Sequence, residues 1–145
     1  TVNLAARCES GAKSYGVYTM VTGETRRAAE AAGDDCVFRF LDKIIVKGRS
    51  EPAEMHEIVC LRSDINDESK ECIKIYDAGT AHYLAQEWDR AIAAFEHSSR
   101  LEWNRPELNP DSHDTPSTIM LARTLRLKAN PPQGPWTGVY KMETK

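Results

Sequence analysis

The chain has 145 residues, of which 19 are Lys or Arg and 22 are Asp or Glu, so its formal net charge is −3. That length suits one ordinary domain or two small units. No run approaches the ~18 apolar residues of a membrane-spanning helix, and a mildly acidic chain without a Lys/Arg block gives little basis for binding nucleic acid. Composition therefore predicts a cytoplasmic globular protein and leaves its chemistry open.

The first segment alternates short helices and strands. Helices are predicted at residues 2–14 and 24–32, each ended by a glycine. The chain opens inside the first helix without an initiator Met or a secretory leader, so we expect a fragment of a longer polypeptide. Three strands are predicted, at 17–21, at 37–47, where 37–41 and 43–47 flank Asp42, and at 55–60. Such a piece has strand edges that need partners.

Residues 63–130 predict a helical extension. Apolar residues recur at three- and four-residue spacing in 69–86 and 88–101, which a polar turn separates, so an antiparallel hairpin is expected. The apolar positions are Ile73, Tyr76, Ala81 and Leu84, then Ile92, Phe95 and Leu101. A third helix is predicted at 118–128. Residues 131–145 open with several prolines and predict an irregular tail.

Cysteine and histidine spacing gives no metal-site pattern. None of the four cysteines forms a C-x-x-C pair, so reduced structural thiols are expected: Cys8, Cys36, Cys60 and Cys72. The four histidines are scattered over different predicted elements, which makes a zinc site improbable: His56, His82, His97 and His113.

Three polar residues suggest an anion site. Asn3 and Arg7 are four residues apart, so on a helix they share one face. Arginine offers a planar fork of donors to phosphate oxygens. Lys47 follows an apolar strand and precedes Gly48, where a point charge can meet a phosphate. Residues at this spacing more often form only a solvated surface. The hypothesis of an anion site therefore depends on the longer sequence strings around these residues.

Those strings resemble a known family. Residues 1–10 read TVNLAARCES, similar to the T-V-N-x-A-[AS]-R-x-E helix of class III adenylate and guanylate cyclases. Residues 37–52 read VFRFLDKIIVKGRSEP, similar to the closing strands of that family, F-R-x-L-D-x-V-x-V-K-G-K-S-E-P. Their order and spacing also fit. The resemblance covers about residues 1–60 and implies that residues 1–62 are the C-terminal portion of a cyclase catalytic domain, an α/β (α+β) unit with a ferredoxin-like sheet.

The resemblance also implies a reaction. These enzymes convert a nucleoside triphosphate to a 3′,5′-cyclic monophosphate and pyrophosphate by attack of the ribose 3′-oxygen on the α-phosphorus. By position, Asn3 resembles the residue that orients the ribose, and Arg7 the one that stabilises charge on the α-phosphate in the transition state. Lys47 aligns with the lysine near the β- and γ-phosphates, and Arg49 keeps the charge of the next lysine. ATP is the expected substrate, with GTP less favoured.

Part of the family's site is missing from this sequence. Its two metal-binding aspartates lie upstream of the T-V-N helix, so Mg²⁺ or Mn²⁺ would be bound by ligands outside this chain. The acids that remain, Glu9, Asp34, Asp35 and Asp42, show no spacing that rebuilds a two-metal site. Sites in this family form between two cyclase domains, so a second domain in a homo- or heterodimer is the expected partner. Alone, this chain should be inactive.

The helical extension resembles one tetratricopeptide repeat. Gly79, Trp88, Ala91 and Phe95 fall at its intervals of 9, 3 and 4, although Ser98 stands where alanine is usual and His82 where tyrosine is common. An unrelated amphipathic hairpin is the alternative. Such a hairpin would dock on the cyclase domain or on a protein partner.

The tail resembles the C-terminal endings of bacterial-type cyclases with such an extension, which carry a P-P-x-x-W-[DT]-G-V segment. Trp136 and Tyr140 are predicted to cap an apolar surface. Together these features predict the C-terminal part of an adenylate cyclase that serves intracellular signalling. The main alternative is a non-catalytic, cyclase-derived scaffold module in a larger assembly, and a peptide-binding repeat protein ranks below both.

Overall fold

A computed structural model describes residues 8, 11–45, 50–105, 108 and 113–141. The contacts divide the chain into two compact units. The sheet unit contains the described residues up to Ile65 together with residues 139–141, and the helical unit spans residues 66–138. In the described ranges no helix has the length and apolar character needed to cross a membrane.

The sheet unit is a four-stranded sheet with helical segments. Its elements are β1 (Met20–Thr22), α1 (Gly23–Ala31), β2 (Cys36–Ile45), β3 (Ala53–Leu61) and β4 (Tyr140–Lys141). The strand order is β1-β3-β2-β4, with β3 antiparallel to both β1 and β2, and β4 parallel to β2. The mixed α/β class predicted from the sequence is confirmed, and this sheet is compatible with a partial cyclase-like fold.

Local sequence signals explain where α1 begins and ends. The Thr22 hydroxyl caps the helix by accepting a hydrogen bond of 3.1 Å from the Thr25 backbone N–H. At the other end, Gly33 adopts a φ of +84°, a conformation that glycine tolerates best. Of the first predicted helix, residues 8 and 11–14 are helical, and its other positions lie outside the described residues.

β2 runs unbroken from Cys36 to Ile45, which confirms the strand predicted around Asp42. Asp42 is buried within it and accepts a hydrogen bond from the Tyr15 hydroxyl, 27 residues away. The register shifts between Phe40 and Asp42, so the chain accommodates the polar residue with a bulge rather than a turn.

The helical unit contains α2 (Asp67–Leu84), α3 (Trp88–Leu101) and α4 (Pro116–Ala129). The bounds of α3 are those predicted from the sequence. α4 starts two residues earlier than predicted, because Thr115 forms a capping box with Thr118 and Pro116 occupies the first turn. Asn66 caps α2 by accepting a hydrogen bond of 2.8 Å from the Ser69 N–H.

Small residues bring α2 and α3 close together. A Cβ atom added at Gly79 would lie 2.9 Å from Cε1 of Phe95, and both Phe95 and Ala91 are fully buried. The buried face of α2 differs from the predicted one: Ala81 and Leu84 are exposed. The buried positions are instead Ser69, Cys72, Tyr76, Gly79, Thr80 and Tyr83. Hydrophobicity alone missed this face because three of its members are Ser, Gly and Thr.

A buried polar cluster fixes the start of α4 against the end of α3. The Ser98 and Ser117 hydroxyl oxygens lie 2.7 Å apart, and both residues are fully buried. The Glu102 carboxylate accepts hydrogen bonds from the Ser117 backbone N–H (3.2 Å) and hydroxyl (2.6 Å). This side chain therefore satisfies an N–H in the first turn of α4 that has no partner within the helix.

The C-terminal segment is more ordered than predicted. Trp136 covers the core of the helical unit, as expected: its ring packs edge-on against Tyr83 and Trp88, with centroids 5.4 Å away in each case. Tyr140 instead belongs to β4, so the prediction of an irregular tail was wrong at residues 140–141. A two-residue strand carries no periodicity by which the sequence could reveal it.

Candidate functional site

The four residues predicted to contact the nucleotide, Asn3, Arg7, Lys47 and Arg49, lie outside the described residues. The described residues include the two strands on either side of Lys47 and Arg49. β2 ends at Ile45, two positions before Lys47, and β3 begins at Ala53. Lys47 and Arg49 therefore belong to the seven-residue connection, residues 46–52, between two paired antiparallel strands.

An open cleft of about 480 Å³ lies at this end of the described strands. Gly23 and Arg27 of α1 line one side, and Lys43 of β2 and Glu54 of β3 contribute to the rest. Arg27 and Glu54 form a long, solvent-exposed ion pair of 3.8 Å. Because the lining mixes cations with carboxylates, it gives no uniformly positive surface for a polyanion.

A histidine with an unusual environment lies on β3, two residues after Glu54 of the cleft lining. His56 of β3 is only 5% exposed, and the Phe40 ring meets it edge-on with centroids 5.4 Å apart. Its Nδ1 lies 3.1 Å from a guanidinium nitrogen of Arg26 on α1. Because arginine can only donate, Nδ1 must accept and the proton of the neutral ring resides on Nε2. Burial, with a smaller contribution from Arg26, lowers the pKa of His56 to about 4.

This environment predicts a pH-dependent stability. An unfolded histidine takes up a proton near pH 6.5, whereas the folded His56 stays neutral to about pH 4. The unfolded state thus binds more protons in that window, and the free energy of unfolding falls as the pH falls from about 6.5 to about 4. After allowance for solvent screening, we expect a loss of about 2 kcal/mol.

Urea unfolding of His56→Gln across this pH range checks the prediction. Glutamine retains an acceptor for Arg26 but has no titration, so the difference between the two proteins should shrink as the pH falls. His97, which is exposed, provides the control as His97→Gln. A parallel pH dependence in the native chain and in His56→Gln would contradict the role of His56.

The opposite face of the same two strands holds a buried ion pair that sequence reasoning missed. Nη2 of Arg39 lies 2.6 Å from Oε2 of Glu57, and Nε lies 3.0 Å from the same oxygen. Both side chains are at most 2% exposed. The available signal was that Arg39 shares its strand face with Val37 and Leu41, since residues two apart in a strand lie on the same face. The pair joins β2 to β3 near the middle of their pairing.

The described part of the chain offers no metal centre. Within the described ranges, no group of three or more His, Cys, Asp or Glu residues could hold a metal ion.

The four cysteines are free thiols, as predicted. Burial raises the pKa of Cys8 and Cys60, and a hydrogen bond to the Asp34 carboxylate raises that of Cys36. These three thiols stay protonated at neutral pH and are poor nucleophiles.

Comparison with known proteins finds one relevant similarity. No family model and no solved structure matches the chain. The chain is 28% identical over 130 residues to "Adenylate cyclase, terminal-differentiation specific" of Dictyostelium discoideum. The match covers 86% of this chain and 6% of that protein. Because 86% exceeds the share of either compact unit, the similarity includes parts of both. The chain is thus similar to a cyclase-related region.

Proposed function

We propose that the chain is the C-terminal part of a nucleotidyl cyclase that converts ATP to 3′,5′-cyclic AMP and pyrophosphate. The similarity to the adenylate cyclase of Dictyostelium discoideum carries this proposal. Two family-like strings are consistent with it, because they occur in the expected order and spacing within residues 1–52. The paired strands β2 and β3 support it too, since they border the connection that holds Lys47 and Arg49.

In this proposal the chain contributes side chains that position the nucleotide and neutralise its charge. Asn3 orients the ribose so that its 3′-oxygen faces the α-phosphorus. Arg7 donates hydrogen bonds to the α-phosphate oxygens, where charge changes most in the transition state. Lys47 and Arg49 bind the β- and γ-phosphates, which leave as pyrophosphate. Positioning and charge stabilisation are the main sources of catalysis in phosphoryl chemistry.

The remaining parts of the site come from a second cyclase domain at a dimer interface. Mg²⁺ or Mn²⁺ would neutralise phosphate charge there, but the described acids of this chain form no cluster that fits either ion. As the family resemblance implies, we assign the metal ligands to residues outside this chain.

We further propose that the helical unit is a tetratricopeptide-like module that docks on a protein partner. The close approach of α2 and α3 supports this, because Gly79, Ala91 and Phe95 pack in the way that such a repeat requires. Solenoids of this type need about three repeats for stability, so one hairpin is suited to extending another protein's surface rather than to binding peptides alone.

Reconstitution tests the main proposal. The chain is mixed with a cyclase domain that carries the metal-binding aspartates, and cyclic AMP is measured with ATP and Mg²⁺ or Mn²⁺, with GTP as the competing substrate. We expect cyclic AMP from the mixture and none from either component alone. A stable complex without cyclic nucleotide would favour the scaffold alternative. Absence of both complex and product would contradict a cyclase partner altogether.

A further inference from the structure

The cleft beside α1 lies entirely within the sheet unit, and its lining residues are all described. Its charged side chains are two cations and three carboxylates, which give the lining a formal charge of −1: Glu24, Arg27, Lys43, Glu51 and Glu54. A polyanion would meet more negative than positive groups here. A ligand with one anionic group and a net positive charge matches the lining better.

The two cations of the lining make few contacts within the described part of the chain. Nη1 of Arg27 lies 3.8 Å from Oε2 of Glu54, which is too long for a hydrogen bond. Lys43 is the direct partner of Glu54 in the pairing of β2 with β3, so both side chains lie on the same face of the sheet. Within the described ranges, the Lys43 ammonium forms neither an ion pair nor a hydrogen bond. A carboxylate ligand can therefore bind both cations without breaking a short ion pair.

Gly23 determines where the Arg27 guanidinium lies. The two residues are four apart on α1, so they share one face of the helix. A Cβ atom added at Gly23 would lie only 3.1 Å from Nη1 of Arg27 and 3.3 Å from Cβ of Glu54. The guanidinium therefore lies over the first turn of α1, in space that any other residue at position 23 would narrow.

A buried donor borders the same point. Nε2 of His56 lies 3.5 Å from the position of that added Cβ atom, so the imidazole is next to Gly23. The neutral ring has its proton on Nε2, and within the described residues His56 forms a hydrogen bond only through Nδ1. A buried N–H without an acceptor is uncommon in folded proteins. A ligand oxygen bound beside Gly23 would satisfy this donor.

We propose that the cleft binds a basic amino acid, whose single carboxylate and two cationic groups complement the charges of the lining. The carboxylate accepts hydrogen bonds from Arg27, Lys43 and His56, and arginine offers it a planar fork of donors. The cationic groups pair with Glu24 and Glu51. The cleft volume of about 480 Å³ is typical of small-molecule sites. This site uses none of the residues assigned to the nucleotide, so it is independent of the proposed function.

Titration of the whole, isotopically labelled chain with L-lysine tests the site by nuclear magnetic resonance. We expect saturable shifts of the backbone amides of Gly23, Lys43 and Glu54, with a Kd of about 1 mM, because the contacts are few and the cleft is open. Cadaverine lacks the carboxylate and L-glutamate reverses the charge balance, so each should bind at least about tenfold more weakly. Shifts that do not saturate with L-lysine, or an equal affinity for cadaverine or L-glutamate, would overturn the proposal.

Single substitutions assign the ligand carboxylate to its donors. Arg27→Gln should weaken the binding of L-lysine at least about tenfold, because hydrogen bonds between charged groups are among the stronger ones. Gly23→Ala should weaken it too, since the new Cβ atom displaces the guanidinium. Arg62→Gln, the matched control, removes an exposed arginine of the same unit and should leave the affinity unchanged.

The amide spectra of β2 and β3 show whether each variant remains folded. Native affinity in a folded Arg27→Gln would contradict the proposed site. Equal losses of affinity in Arg27→Gln and Arg62→Gln would contradict it as well, because they would indicate an effect of net charge rather than of contact with the ligand.

Discussion

Replacing Arg7 by Ala is expected to lower the turnover of ATP in the reconstituted pair by about 10²-fold or more. Arg7 is assigned to charge that develops on the α-phosphate, so its loss removes an interaction that is stronger in the transition state than in the ground state. The kcat should therefore fall while the KM for ATP changes little. Initial rates of cyclic AMP formation over a range of ATP concentrations separate the two constants.

A surface arginine provides the control for Arg7. Arg62 and Asp35 form an exposed ion pair of 3.3 Å, and both side chains are 68% exposed. Arg62→Ala removes the same charge from the same unit, so equal losses in both variants would indicate a general effect of net charge. An unchanged rate in Arg7→Ala would exclude the role assigned to this residue. Arg7→Lys should recover only part of the rate, because lysine keeps the charge but lacks the planar fork of donors.

The second large effect is expected for stability. Glu57→Gln leaves the guanidinium of Arg39 buried without its carboxylate, and breaking such a pair typically costs roughly 3–5 kcal/mol. The sheet unit should therefore lose most of its stability. All three tryptophans, Trp88, Trp103 and Trp136, lie in residues 66–138, so fluorescence reports mainly the helical unit. Hydrogen exchange of β2 and β3 amides in increasing urea measures the sheet unit itself.

The same strand contains a matched control for Glu57→Gln. Glu54 pairs with Arg27 at 3.8 Å, and these side chains are 47% and 67% exposed. Glu54→Gln should cost less than about 1 kcal/mol, because solvent screens exposed ion pairs. Replacing both buried partners, as Arg39→Met with Glu57→Leu, should recover most of the stability lost in Glu57→Gln. Equal costs for Glu57→Gln and Glu54→Gln would show that burial does not strengthen the Arg39–Glu57 pair.

The sequence predicted those elements whose signals are local. α3 has a clear helical pattern, a polar turn before it and no internal helix breaker, and its bounds were predicted correctly. The strand around Asp42 was also predicted correctly, but the partner of the Asp42 carboxylate was not. That partner, Tyr15, lies far away in the sequence, and no local pattern reveals the hydrogen bond.

The buried face of α2 and the strand β4 were missed for different reasons. A hydrophobic pattern cannot identify Gly79 as a core position, because its contribution is the space that Phe95 occupies. β4 has only two residues, so it carries no periodicity that a sequence pattern could reveal. For the nucleotide site, the family-like strings gave Asn3, Arg7, Lys47 and Arg49, and these remain predictions because they lie outside the described residues.

The position of β4 in the chain has a consequence for biosynthesis. The first three strands of the sheet are synthesised before the helical unit, whereas β4 is synthesised only after all of it. In the helical unit, α2 packs against α3 and α3 packs against α4, so the contacts join helices that are consecutive in the chain. This unit can therefore fold as soon as its own residues have emerged from the ribosome. The sheet must meanwhile persist with the end of β2 uncovered. Its assembly on the ribosome is therefore completed only when residues 140–141 emerge.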